Sequence, residues 1–205
     1  MSLNRELYRE VLSECYEALE DVGFTRYRAK SVDWPLHNGF HAWVGLNRAP
    51  EAQSVEINPF VGIHAVQVEK LWTSLDRKPY NRSSATYAIH MGEIAPNERT
   101  FVFTPQSDIK AEARRLALLY ATVGLDYARS IASYDALLTL LEKRTDMLGG
   151  YPQCLACCLY FMGRYKEAQE FVVEFAKKEP AYFANFAEAF LAFLGEARSA
   201  TTTAT

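Results

Sequence analysis

The stretch Arg99-Thr100-Phe101-Val102-Phe103-Thr104-Pro105-Gln106-Ser107-Asp108-Ile109 decides the fold. Up to Thr104 the apolar residues repeat every second position, as in a half-buried strand. Beyond Pro105 the spacing changes: Ile109, Leu116, Leu119 and Tyr120 recur at helical steps, with Ser107 or Asp108 in place to cap. Proline removes a backbone donor and fixes φ, so neither element runs through it. The switch predicts strands on the amino side and helices on the carboxyl side. That segregation is α+β and not the alternation of a parallel α/β sheet.

Toward the N-terminus, short β-like pieces lie at Phe24–Arg28, Phe40–Leu46, Val55–Ile63, Thr86–Met91 and Arg99–Thr104. Turn chemistry separates them, including His37-Asn38-Gly39, Asn47-Arg48-Ala49-Pro50 and Ala95-Pro96-Asn97-Glu98. Their spacing suggests an antiparallel meander, interrupted by a helix from Val66 to Leu75. Ahead of them, Leu7, Val11, Cys15, Ala18, Leu19 and Val22 mark a helix that Asn4 could cap. Gly23 follows directly, where a left-handed residue is wanted, with Phe24 placed to fold back on the last turn.

Toward the C-terminus the periodicity predicts helices reaching Thr122, from Asp126 to Arg144, from Pro152 to Met162, from Tyr165 to Lys178 and from Ala181 to Leu194. Gly124 is expected to break the first from the second, and Gly149-Gly150-Tyr151-Pro152 reads as a linker. The expected organisation is a helix plus antiparallel sheet over residues 1–105, an all-helical half over 106–196 packed against it, and a disordered tail over 197–205.

Composition narrows the function. The 205 residues carry 22 basic and 25 acidic side chains, for a net charge of −3. Neither half is basic: residues 1–104 hold 11 basic and 13 acidic side chains, residues 105–205 hold 11 and 12. Direct nucleic-acid binding is therefore not expected. No apolar run approaches the roughly 20 residues of a membrane span. The charged start Arg5-Glu6 has no apolar signal segment behind it. Three of the four cysteines (Cys154, Cys157 and Cys158) fall within five residues on one helix face, as buried thiols would. With Cys15 they suggest a reducing, cytoplasmic setting. No metal and no cofactor is expected, because no second cysteine pair or histidine follows the cluster at zinc-ligand spacing.

The remaining motifs each admit a plain and a functional reading. The run Leu159 to Ala168, with Phe171, Phe175 and Pro180, resembles one tetratricopeptide unit, whereas an array needs at least three. An ordinary helical hairpin is the plain reading, and a peptide-binding scaffold the other. The histidines His37, His41, His64 and His90 show no ligand spacing, but three fall in strands and could meet in a small enzyme. There is no phosphate loop, nucleophile elbow or paired-carboxylate signature, so a non-enzyme is favoured. Phe183, Phe186, Phe190 and Phe193 stripe the last helix. Burial in its own fold is the plain reading of that stripe, and a homodimer seam the alternative. On the first helix, Glu6, Glu10, Glu14, Glu17, Glu20 and Asp21 share one arc opposite the apolar residues, with Arg5 and Arg9 at its edge. A solvated face is the plain reading. The functional one is docking of a basic partner through Glu10, Glu14 and Glu17.

The runs Leu19 to Arg26, His41 to Asn47, Val55 to His64 and Val68 to Trp72 resemble a group of small bacterial proteins in which a helix ends in a Gly-Phe turn before an antiparallel sheet. Some of that group are similar to immunity proteins of polymorphic or contact-dependent toxins. The resemblance covers residues 7–104. It implies a non-catalytic protein that neutralises a cognate toxin domain by covering its active surface.

Overall fold

The computed structural model describes residues 2–28, 31–51, 53–145 and 151–202. The chain divides into two units: Met1–His64 with Arg82–Ala132, and Ala65–Asn81 with Ser133–Thr205. The boundary falls elsewhere than at residue 105. The helix expected within the sheet region belongs to the second unit, and the first helix after Pro105 belongs to the sheet.

The first unit begins with α1 (Ser2–Asp21), two residues ahead of Asn4. Its buried stripe is Val11, Cys15 and Leu19. Two bonds close its end as a Schellman motif: Gly23 N–H donates to Glu20 (2.9 Å) and Phe24 N–H to Leu19 (3.0 Å). Gly23 has φ 106°, and a Cβ there would lie 2.7 Å from the Trp34 ring. Phe24 turns back into the core and meets Trp34 edge-on at 5.5 Å.

Six strands follow: β1 (Thr25–Arg28), β2 (Ser31–Pro35), β3 (Phe40–Pro50), β4 (Val55–Ala65), β5 (Tyr87–His90) and β6 (Phe101–Phe103). They form one antiparallel sheet in the order β1-β2-β3-β4-β5, with β6 also on β4. β4 is long enough to hold both: Val55–Ile57 pairs with β6, and Phe60–Ile63 with β5. β2 lacks a strong local strand signal, because Ser31, Asp33 and Pro35 outnumber the strand formers Val32 and Trp34. The β2–β3 hairpin closes on Asn38-Gly39, both at positive φ, as a two-residue turn requires.

A helical layer covers this sheet. α3 (Ile109–Leu119) is capped by Asp108, which accepts from Ala111 N–H at 3.0 Å, and packs against α1. Gly124 does not break the helix as expected. The chain passes through a π-helical turn, Tyr120–Gly124, directly into α4 (Leu125–Ser130). Gly124 has helical φ and ψ, and its missing side chain leaves room for Met91 and Val61. The break comes at Ile131–Ser133, where Ser133 caps α5 (Tyr134–Glu142). Tyr120, wholly buried, reaches from the π turn to the carbonyls of Gly45 (2.9 Å) and Phe60 (3.0 Å).

The second unit is all-helical: α2 (Val66–Leu75), α5, α6 (Pro152–Phe161), α7 (Tyr165–Lys178) and α8 (Pro180–Thr202). Each of α5 to α8 packs on the next in sequence, and α2 lies against α6 and α8. α6 ends in a second Schellman closure, with Gly163 N–H on Tyr160 and Arg164 N–H on Leu159, both 3.0 Å. α8 runs eight residues past Leu194, into the region expected to be a tail, and residues 203–205 lie outside the described ones. Gly149 and Gly150 of the expected linker also lie outside them. Among the described residues, no helix is long and apolar enough to cross a membrane.

Candidate functional site

The most connected polar cluster lies on the sheet. Asp33 on β2 is 3% exposed. Arg82 holds it by a fork: Nε donates to Oδ2 at 2.6 Å and Nη2 to Oδ1 at 2.8 Å. His41 Nδ1 lies 3.1 Å from Arg82 Nη2 and 3.4 Å from Asp33 Oδ1. A guanidinium only donates and a carboxylate only accepts, so which of the two contacts Nδ1 satisfies is set by the His41 tautomer. The Arg82 guanidinium also covers the Tyr27 ring at 4.9 Å. Beside His41, with ring centroids 6.4 Å apart, His64 donates Nδ1–H to the Ser84 carbonyl at 2.8 Å. Burial holds the His64 pKa below its ordinary value, although the Ser84 carbonyl pulls the other way.

The structure thus brings together two of the four histidines. Trp43 adds a bond from Nε1 to the Ser83 carbonyl at 2.8 Å, so Asp33, Trp43 and His64 fasten Arg82, Ser83 and Ser84 to the sheet. His64 is wholly buried and cannot meet a substrate directly. These bonds fasten the segment ahead of β5 to the sheet, with His41 and Arg82 left partly exposed. His90 caps a short 3₁₀ turn, Met91–Glu93, by accepting from Gly92 N–H at 3.0 Å, and His37 is exposed in the β2–β3 turn.

The cysteines are all buried thiols. Burial pushes Cys15 and Cys158 up to about 12 and raises Cys154 and Cys157 as well. Cys154 Sγ contacts the buried Glu69 carboxylate at 3.8 Å, and Cys158 Sγ the Tyr134 carbonyl at 3.4 Å. These are protonated, inaccessible groups, the opposite of an activated thiolate.

The acids of α1 are unequal. Glu10 stands exposed. Glu17 is exposed and accepts from Ser13 Oγ at 2.8 Å. Glu14 leans toward α3, 3.8 Å from Lys110 Nζ, with its side chain 22% exposed. Glu20 turns to Arg26 at 2.6 Å. The arc is therefore continuous in sequence but partly neutralised at its α3 edge.

A groove in the helical unit has the shape of a docking site. It encloses about 670 Å³. Leu155 and Leu159 of α6 and Phe171 and Phe175 of α7 give it an apolar floor. Glu142, Glu167, Glu170 and Glu174 rim it, against Arg164 and Lys178. Arg164 is occupied by Glu167 at 2.5 Å, and Glu170 has Lys166 at 3.6 Å. Glu174 has no paired cation among the described residues. The tetratricopeptide-like stretch pointed to this hairpin, but the acidic rim draws on two helices, α5 and α7, and was not singled out. The phenylalanines of α8 are used within the same unit: Phe183 packs on Phe175 at 4.9 Å, and Phe186 stacks on Phe190 at 5.5 Å.

Comparison with protein-family models, characterised proteins and solved structures yields no match to this chain.

Proposed function

We propose that this chain is a non-catalytic binding protein that captures a basic segment of a partner protein. The observation that supports this best is the groove of the helical unit. Phe171 is the part-exposed apolar side chain of its floor, over the buried Leu155, Leu159 and Phe175, and four glutamates stand around it. Such a groove suits an amphipathic helix with apolar anchors one turn apart and lysines or arginines on its flanks. The floor supplies affinity, whereas the rim charges act on encounter rate and specificity. In the first unit, the exposed Glu10 and Glu17 of α1, with Glu14 beside them, form an acidic surface of their own that would attract a basic partner.

The resemblance of residues 7–104 to immunity-like proteins supports a finer reading. The partner would be a toxin domain whose basic active surface is covered in the bacterial cytoplasm. Domains that act on nucleic acids carry basic clefts, and acids complement them. The test is capture from a lysate of the source cells, followed by mass spectrometry. The wild type is compared with Glu170→Lys/Glu174→Lys and with Glu10→Lys/Glu14→Lys/Glu17→Lys. The proposal expects a basic protein retained by the wild type and lost by the groove variant. An identical set of proteins on all three contradicts it.

A further inference from the structure

A second groove, of about 470 Å³, runs along the flank of α1 beside its acids. Arg5, Tyr8, Arg9, Leu12, Tyr16 and Arg26 line it. Arg48 of β3 joins them, donating from Nη1 to the Tyr8 hydroxyl at 3.1 Å. Arg26 lies over the Tyr16 ring at 5.4 Å, and its Nη2 meets Glu20 at 2.6 Å. Arg26 Nη2 and Nε are both buried and have no hydrogen-bond acceptor among the described residues. Arg5, Arg9 and Arg48 have no paired carboxylate among the described residues. Four guanidinium groups thus share one paired acid.

This arrangement is unfavourable for the empty protein in two ways. Arg5 and Arg9 are spaced i,i+4 on α1, where like charges repel. Arg5 also stands in the first turn, at the positive end of the helix dipole, where an anion is favoured and a cation is not. A bound anion relieves both effects at once.

We propose that this groove binds the phosphoryl group of a small phosphate-bearing molecule. A phosphate ester carries close to two negative charges at neutral pH and three acceptor oxygens, enough to engage several guanidinium forks, whereas a lone carboxylate carries one charge. The volume is that of a small-molecule site. A nucleic-acid strand does not fit, because the acids on the adjoining face of α1 repel a polyanion. The phosphoryl group could belong to an inorganic ion or to a nucleotide. In the second case the half-exposed Tyr8 ring provides a surface for the base.

The test is calorimetric titration of the full chain with pyrophosphate and, separately, with AMP and adenosine, at low and physiological ionic strength. The wild type is compared with Arg9→Gln, Arg48→Gln and Arg114→Gln, the last an exposed arginine of α3 outside the groove. The expected result is one pyrophosphate site whose affinity falls about tenfold or more in Arg9→Gln and Arg48→Gln, stays within about twofold in Arg114→Gln, and weakens with salt. AMP binding tighter than pyrophosphate, with no binding of adenosine, assigns the site to a nucleotide; pyrophosphate binding tighter than AMP assigns it to the inorganic ion. No saturable binding up to about 10 mM pyrophosphate at low salt overturns the proposal, as does an equal loss in all three variants.

Discussion

Arg82 grips Asp33 through two parallel bonds, of 2.6 and 2.8 Å, across 49 residues of sequence, and Asp33 is almost entirely out of water. The pair ties the segment ahead of β5 to β2, and His41 and Tyr27 pack around the guanidinium. Removing one partner leaves the other charge unmatched, which costs more than the intact pair contributes. Arg82→Ala is expected to lower stability by about 2–3 kcal/mol, less than for a fully enclosed pair because Arg82 remains about a quarter exposed. Urea unfolding measures this, and an unchanged midpoint would show that solvent already screens the pair.

His64 gives the first unit an acid-sensitive element. The unfolded chain takes up this proton near 6.5, and the folded chain only at lower pH, chiefly because the ring is buried. Between the two values the unfolded state holds more protons, so stability falls as pH drops below about 7. His64→Gln should remove that part of the slope while leaving the carboxylate titration at lower pH. Stability curves of the two proteins that run parallel from pH 7 to pH 5 would contradict this role.

The thiols predict the opposite dependence on the alkaline side. Cys15 and Cys158 are held near 12, against 9.0 for an ordinary thiol. In the unfolded chain they ionise first, so stability declines as pH rises above 9.0. At neutral pH a thiol reagent should react with the native protein only as fast as it opens, and with all four cysteines at once in urea. Rapid labelling of a single thiol in the native state would show that one of them is accessible.

Two helix ends should respond in opposite directions. Gly23→Val puts a β-branched side chain at φ 106° and its Cβ against Trp34, and should cost at least about 1–2 kcal/mol. Arg77 occupies the corresponding position after α2 at φ 53°, with its N–H on Ser74 and Lys78 N–H on Thr73. Arg77→Gly relieves the left-handed conformation and should gain roughly 0.5–1 kcal/mol. Thermal midpoints report both, and a destabilised Arg77→Gly would mean that the arginine side chain does more than close the helix.

The elements with strong local signals were legible in the sequence: α1 with its Gly-Phe closure, the long alternation of β4, the Asn-Gly turn ahead of β3 and the change of period at Pro105. β2 was hidden because Ser31, Asp33 and Pro35 are poor strand formers held by tertiary pairing to β3. Gly124 misled because composition does not distinguish a helix breaker from a helical glycine admitting a neighbour. The Asp33–Arg82 fork was out of reach for a related reason: its partners stand 49 residues apart, and no local spacing announces them. Arg5 and Arg9 were legible as neighbours on α1, but Arg26 and Arg48 join them only through the tertiary fold. The acidic arc was legible as an arc, but Lys110 beside Glu14 became visible only once α3 was packed on α1.

If acid-rimmed apolar surface rather than a catalytic pocket carries the function, rim charge sets the rate of encounter with the partner. The most direct test is the association rate of the captured basic partner with the wild type and with Glu170→Lys/Glu174→Lys, at low and at physiological ionic strength. Both glutamates are exposed on α7, so the fold tolerates the change. The account predicts wild-type association that slows as salt rises, and a groove variant that is slow at low salt and nearly insensitive to it. Equal association rates for the two proteins at low salt would contradict it.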